Sequence, residues 1–330
     1  MPHNVGADRW KFGAFYYICL LIEVIFRNVM KSRISVLLVA FAMLFAAAIP
    51  ETATGKSPKV RNGMIEFPEP ARAKGQTDVL QLRCDPIPVV RVAFIGLGMR
   101  GSMAVERYTH LDGVRIVALC DVRPELVENA QGTLKNAGLP AAAGYTGAED
   151  WKKVCEREDV DLIYNCTPWL LHTPIAVYAM RHGKHVALEV PAAMSIDECW
   201  QLVNTAEQTR RHCMMLENCC FGRDELMVLN MVRQGLFGEV VHCQGGYRHD
   251  LREEVSTGRE MRHYRFRNYL YRNCENYPTH ELGPIANVLD INRGNRMLTL
   301  VSVASKAAGL HEYLLREKGP DYDAAKMNFA

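Results

Sequence analysis

The sequence predicts an α/β protein, with a doubly wound parallel sheet followed by a smaller α+β domain with an open sheet. Three observations carry this reading. The run Val89-Val90-Arg91-Val92-Ala93-Phe94-Ile95 is apolar and β-branched, the pattern of a strand buried on both faces. It breaks into Gly96-Leu97-Gly98-Met99-Arg100-Gly101, a G-x-G-x-x-G that opens a helical stretch through Tyr108. A second apolar run, Val114 to Cys120, ends on Asp121, and strand and helix patterns then alternate as far as Asn218.

That order matches what a dinucleotide needs. Gly96 allows a tight turn, Gly98 lets the backbone approach a pyrophosphate, and Gly101 lets the helix pack closely on the strand. The helix N-terminus offers unpaired N–H groups and a partial positive charge to phosphates. Asp121 follows the last glycine by about 20 residues, the spacing of an acid that accepts from an adenosine ribose. Its charge would repel a 2′-phosphate, so NAD is expected over NADP, with Arg123 nearby as the one countersign.

Beyond Asp121, helices are expected over Pro124–Ala137 and Ala148–Glu158, then a buried strand at Asp161–Cys166 ending in Thr167-Pro168. A helix over Thr173–His182 leads to a strand, His185–Leu188, that ends on Glu189-Val190-Pro191. Ser195 caps a helix to Arg210, and the strand Cys213–Leu216 ends on Glu217-Asn218. Ligands of such sheets gather outside the carboxyl ends of the strands, where Trp169, His172, Glu189 and Asn218 fall. From residue 221 the pattern changes. A helix is expected at Arg223–Gln234, strands at Glu239–Tyr247 and Leu298–Val303, a helix at Glu281–Ile291, and irregular polar chain between. One or two strands do not make a stable open sheet, so C-terminal truncation is expected.

At the other end, Met30-Lys31-Ser32-Arg33, the apolar run Ile34–Ile49 and the small residues Ala46-Ala47-Ala48 have the layout of a secretory signal peptide, at about 30–48. Residues 1–29 hold a second apolar patch around 12–26, broken by Glu23. The rival reading is a membrane hairpin, but the Ile34–Ile49 run is shorter than the roughly 20 residues of a spanning helix. The expected organisation is an N-terminal extension (1–55), a linker (56–88), a dinucleotide-binding domain (89–220) and a substrate domain (221–330). Export is the expected location, with no stable membrane anchor.

With 330 residues, the chain is long enough for two domains with sizeable cores. A net charge of +2 without a basic cluster argues against nucleic acid. The 11 cysteines are odd in number and lack metal-type pairs, so neither a disulfide framework nor a metal site is expected. Cys219-Cys220 reads as strand-end packing. Self-association is left open.

Three segments together resemble the glucose–fructose oxidoreductase/inositol dehydrogenase (Gfo/Idh/MocA) superfamily. They are Gly96–Gly101, Asn165-Cys166-Thr167-Pro168 followed by His172, and Gly183-Lys184-His185-Val186-Ala187-Leu188-Glu189-Val190-Pro191. Members usually read Glu-Lys-Pro at the last site, where the lysine assists proton transfer. Here Val190 takes its place, which argues against a simple dehydrogenase. Asn218-Cys219-Cys220, Gly245-Gly246-Tyr247-Arg248-His249, Arg265 and Asn276-Tyr277-Pro278-Thr279-His280-Glu281 resemble glycoside hydrolase family 109, a branch that includes α-N-acetylgalactosaminidases. Glu281 stands where many members carry glycine, and a substrate-contacting tyrosine of the family would lie beyond residue 330.

The resemblance implies a redox-neutral glycosidase, a recognised exception to the two-carboxylate rule. In such a cycle NAD⁺ transiently oxidises C3 of the sugar, the C1 substituent leaves by elimination, water adds, and the hydride returns. His280 and Tyr277 are the expected catalytic residues, since histidine exchanges protons in both directions near neutrality. Tyr247, Arg265 and Tyr277-Pro278-Thr279-His280 are the expected substrate contacts. Gly96, Gly98, Met99, Arg100, Gly101, Asp121, Trp169, His172, Glu189, Val190 and Asn218 are the expected NAD contacts. Two other readings stand beside this one: a sugar or polyol oxidoreductase, and a non-catalytic sugar-binding protein that keeps its cofactor.

Overall fold

The computed structural model describes residues 58–256 and 264–327, so the signal-peptide segment lies outside the described residues. The chain divides into two compact units, Met1–Pro68 and Glu69–Ala330. In the first, β1 (Lys59–Arg61) and β2 (Met64–Glu66) pair antiparallel, in a stretch read from sequence as linker. Asn62 and Gly63 both take positive φ, 51° and 76°, as a two-residue hairpin turn of primed type requires. The Asn-Gly pair was the available signal.

In the second unit, six parallel strands build the sheet. These are β3 (Val90–Ile95), β4 (Val114–Cys120), β5 (Ala143–Tyr145), β6 (Leu162–Asn165), β7 (His185–Leu188) and β8 (Cys213–Met215). Their order across the sheet is β5-β4-β3-β6-β7-β8, so the winding reverses between β3 and β6. That reversal opens the crevice where dinucleotides bind in this topology. The helices are α1 (Met99–Tyr108), α2 (Pro124–Asn136), α3 (Asp150–Glu156), α4 (His172–Arg181) and α5 (Ile196–Thr209). One cluster packs Ile95, Ile163, Ile175, Met180 and Leu188 on one face of the sheet, and another packs Phe94, Leu97, Leu119 and Tyr164. Phe94 stacks on Tyr164 at 5.0 Å.

Local signals explain where elements stop. Ser195 Oγ accepts from Glu198 N–H at 3.2 Å, and Glu198 reaches back to Met194 N–H, a reciprocal cap for α5. Arg210 ends α5 in the left-handed region at φ 54°. The stretch before β3 is anchored to α5, because the buried Glu207 carboxylate accepts from Arg72 at 2.6 Å and Gln76 at 2.5 Å.

Past β8 come α6 (Arg223–Arg233), α7 (Arg252–Ser256), α8 (Arg265–Tyr271), α9 (Thr279–Val288) and α10 (Gly309–Lys318). The expected strands at Glu239–Tyr247 and Leu298–Val303 do not form. Among the described residues neither segment has a ladder partner, and a strand without one leaves its backbone to water. The open sheet read for this half is therefore corrected to a helical arrangement with extended connections. A small core of Phe266, Leu270, Leu314, Ala324 and Ala325 joins α8, α10 and the turn after it. No described helix is long and apolar enough to cross a membrane.

Candidate active site

The Gly96–Gly101 loop joins β3 to α1. Gly96 sits at φ 88°, and a Cβ there would lie 2.7 Å from the Cys166 carbonyl. At Gly101 a Cβ would come within 2.0 Å of the Gly96 carbonyl oxygen, so loop and helix meet with room for hydrogen alone. Gly98 differs, since a Cβ there would meet nothing within 4 Å. No side chain caps α1 and no acid stands in its first turn. Its leading N–H groups thus face open space in a positive field, which fits a pyrophosphate.

Asp121 directly follows β4. Its Oδ2 accepts from Leu97 N–H at 2.7 Å and its Oδ1 from Arg123 N–H at 2.9 Å. The carboxylate thus braces the glycine loop, and each oxygen keeps a second lone pair for a ribose hydroxyl.

Arg100, on α1, ion-pairs with Glu189 at 3.1 Å, and its Nη2 reaches Asn218 Oδ1 at 3.5 Å. The Tyr164 hydroxyl donates to Glu189 at 3.1 Å, and burial, then the neighbouring Cys166 and Glu189, push its phenol far up. Arg100, Glu189 and Asn218 therefore tie together the carboxyl ends of β3, β7 and β8. Met99 is exposed at the start of α1.

His172 is enclosed between two loops. It is 1% exposed, and its two ring nitrogens each lie 2.7 Å from a backbone carbonyl, of Thr167 and of Pro191. Burial pushes its pKa down against those two carbonyls. Both nitrogens face carbonyls of the protein, one of them as the donor of the neutral ring, so His172 joins the β6 and β7 loops.

The residues read from sequence as substrate contacts gather in an aromatic cluster. Trp169, Val190 and Tyr277 are buried together, with Met194, Met215 and Tyr247 packed around them. Trp169 stacks on Tyr277 at 5.8 Å, and the His280 ring stands edge-on to Tyr277 at 4.7 Å. Tyr247 lies 5.1 Å from Tyr277 and 5.6 Å from His280. The Arg265 guanidinium covers the Tyr277 ring at 4.7 Å and Trp169 at 5.8 Å. Burial works against the Arg265 charge, yet Tyr264 and Tyr247 hold its pKa above the ordinary arginine value. Burial also keeps the Tyr277 phenol far above its usual range, so it stays a proton donor at neutral pH. Pro278 is exposed at the entry to α9, and the buried Thr279 hydroxyl and Trp169 indole N–H lack protein partners. Both point to a polar ligand.

Sequence reasoning passed over Glu217. It follows β8, is 3% exposed, and its Oε1 lies 2.5 Å from His280 Nδ1. Its place at the carboxyl end of a strand was the available signal. Glu217, Cys219 and His280 bring three metal-ligand atoms within 4.8 Å of one another. Two ligands on one tetrahedral zinc sit about 3.3 Å apart, so the shorter Glu217–His280 contact is a hydrogen bond. Burial and the Glu217 charge raise the Cys219 thiol above its ordinary pKa, which keeps it protonated.

The crevice at the strand reversal, the glycine loop and Asp121 define the class, an NAD-binding Rossmann domain of the Gfo/Idh/MocA oxidoreductase type, whose family model matches residues 90–217. The model of the glycosyl hydrolase 109 C-terminal domain matches residues 221–330. Over these two segments the chain is similar to glycoside hydrolase family 109. It is 49% identical over 262 residues to a Bacteroides fragilis protein named alpha-N-acetylgalactosaminidase, covering 78% of this chain and 62% of that one. A Bacteroides thetaiotaomicron family 109 protein is 49% identical, over 82% of this chain and 58% of its own length. The chain thus spans about 60% of the length of these relatives. The solved scyllo-inositol dehydrogenase of Lactobacillus casei is 20% identical with a TM-score of 0.41, over 46% of this chain and 43% of that structure.

Proposed function

We propose that this protein is an exported glycosidase that cleaves N-acetylgalactosamine-type α-glycosides while holding NAD in the β3–β6 crevice. The observation that carries the proposal is the apolar burial of Val190 against Trp169 and Tyr277, with His280 edge-on to that tyrosine. A dehydrogenase of the superfamily would place a lysine at residue 190. Here that position cannot exchange a proton, whereas Tyr277, packed in the same cluster, and His280, edge-on to Tyr277, can.

Bound nicotinamide supplies a reversible hydride acceptor, so a redox-neutral cycle needs no external oxidant. Gly98 and the α1 N-terminus hold the pyrophosphate, and Asp121 takes the ribose. Arg265 and the Tyr247 hydroxyl bind the sugar's polar groups from the second half of the chain. His280 takes up and returns the proton at Nε2, the ring nitrogen that does not face Glu217, and Tyr277 donates from its neutral phenol. Trp169, Tyr277 and Val190 keep water from the reacting face.

The test is incubation of the full chain with an aryl α-N-acetylgalactosaminide. Phenol should appear without net NADH. NADH accumulating in step with consumption of a free sugar would instead support the oxidoreductase reading. Mass spectrometry of the denatured protein should show nucleotide carried through purification. For export, the N-terminus of the secreted protein should lie just past Ala48, and an intact N-terminus at Met1 or Met30 would contradict it.

A further inference from the structure

We propose that Glu217 is the positioning residue for His280, fixing its ring tautomer so that Nε2 presents the working lone pair. The inference rests on the reading of His280 as the acid/base group.

Glu217 leaves the sheet where Leu216 N–H donates to Leu188 at 2.8 Å, so its backbone is pinned to the sheet edge. Its Oε1 accepts from Cys219 N–H at 3.0 Å and faces His280 Nδ1 at 2.5 Å. The other oxygen, Oε2, is buried with no partner. α9 carries His280 onto this carboxylate through Gly283, where a Cβ would come 2.8 Å from Glu217 Cγ. The fit therefore tolerates no side chain at residue 283.

The chemistry follows from donor counts. An ionised carboxylate accepts only, so the imidazole nitrogen facing it must carry the proton. The neutral ring is then the Nδ1–H tautomer, and its lone pair sits on Nε2. Burying a carboxylate with one oxygen unpaired is costly, and a purely structural contact would be met as well by an amide or an apolar side chain. A fixed negative charge beside the ring gains its value when the ring takes up a proton. The two tyrosine rings leave His280 little freedom to rotate.

The test joins nitrogen-15 NMR of histidine-labelled full chain with kinetics of Glu217→Gln and Glu217→Ala. In the unsubstituted protein, the neutral His280 ring should show Nδ1 protonated and Nε2 bare. Glu217→Gln should lower kcat about a hundredfold, leave KM within about threefold, and retain bound nucleotide. Glu217→Ala should lose as much kcat and give mixed tautomers. An Nε2–H ring in the unsubstituted protein, or unchanged kcat in Glu217→Gln, overturns the proposal. So does stoichiometric zinc on Glu217, Cys219 and His280 in metal analysis. If the unsubstituted chain cleaves no glycoside, the functional reading falls, while the tautomer spectrum still decides the role of Glu217.

Discussion

The two halves of the second unit treat their apolar residues differently. From β3 to β8, Val92, Ala93, Phe94, Leu119 and Ile163 are fully buried. In the later half Val241, Leu300, Val301 and Val303 are 85–92% exposed, in segments whose sequence reads as strand. A parallel strand flanked by its own crossover helices gains partners from nearby sequence, and each βα unit completes the next. The later segments have strand composition without partners, and composition alone does not fold. The later half buries apolar groups in its small core around Leu314 and where it meets the sheet's carboxyl edge, at Tyr277 and His280.

The largest effect expected is at the glycine loop. Gly101→Val should cost about 3 kcal/mol or more and abolish nucleotide retention, because its side chain has no space beside the Gly96 carbonyl. Denaturant melts and mass spectrometry check both. A paired substitution then sharpens the contrast between the halves. Ile163→Ala, in β6, should cost about 3 kcal/mol through the cavity it leaves. Val301→Ala should change stability by about 0.5 kcal/mol or less. Equal costs would show that the later segment is packed as tightly as the sheet.

A smaller effect concerns acid. Burial depresses the His172 pKa, and His185 is also lowered by burial and by His212. A depressed histidine stabilises the fold above its unfolded pKa of about 6.5, and that contribution is lost as pH falls through the folded value. Stability should therefore fall below about pH 6.5, and His172→Gln should flatten that slope in urea titrations. A slope unchanged by His172→Gln would remove His172 from the account.

The Rossmann half was legible because its signals are local. The G-x-G-x-x-G, the apolar runs and the Ser195 cap each specify their neighbours within a few residues. The β1–β2 hairpin escaped because an exposed strand pair shows no apolar alternation and only Asn62-Gly63 marks it. Tyr277 and His280 lie in a recognisable motif, but Glu217 does not. Its bond to His280 spans 63 residues of chain, and no spacing rule encodes a contact made by folding.

The central claim is hydrolysis with a redox-neutral turnover at His280 and Tyr277. Cleavage of an α-N-acetylgalactosaminide in deuterated water, followed by NMR of the released sugar, tests it most directly. Deuterium at C2 is predicted, because elimination removes that proton and a solvent-exchanged acid returns one. A released sugar with its C2 proton fully retained would contradict the account.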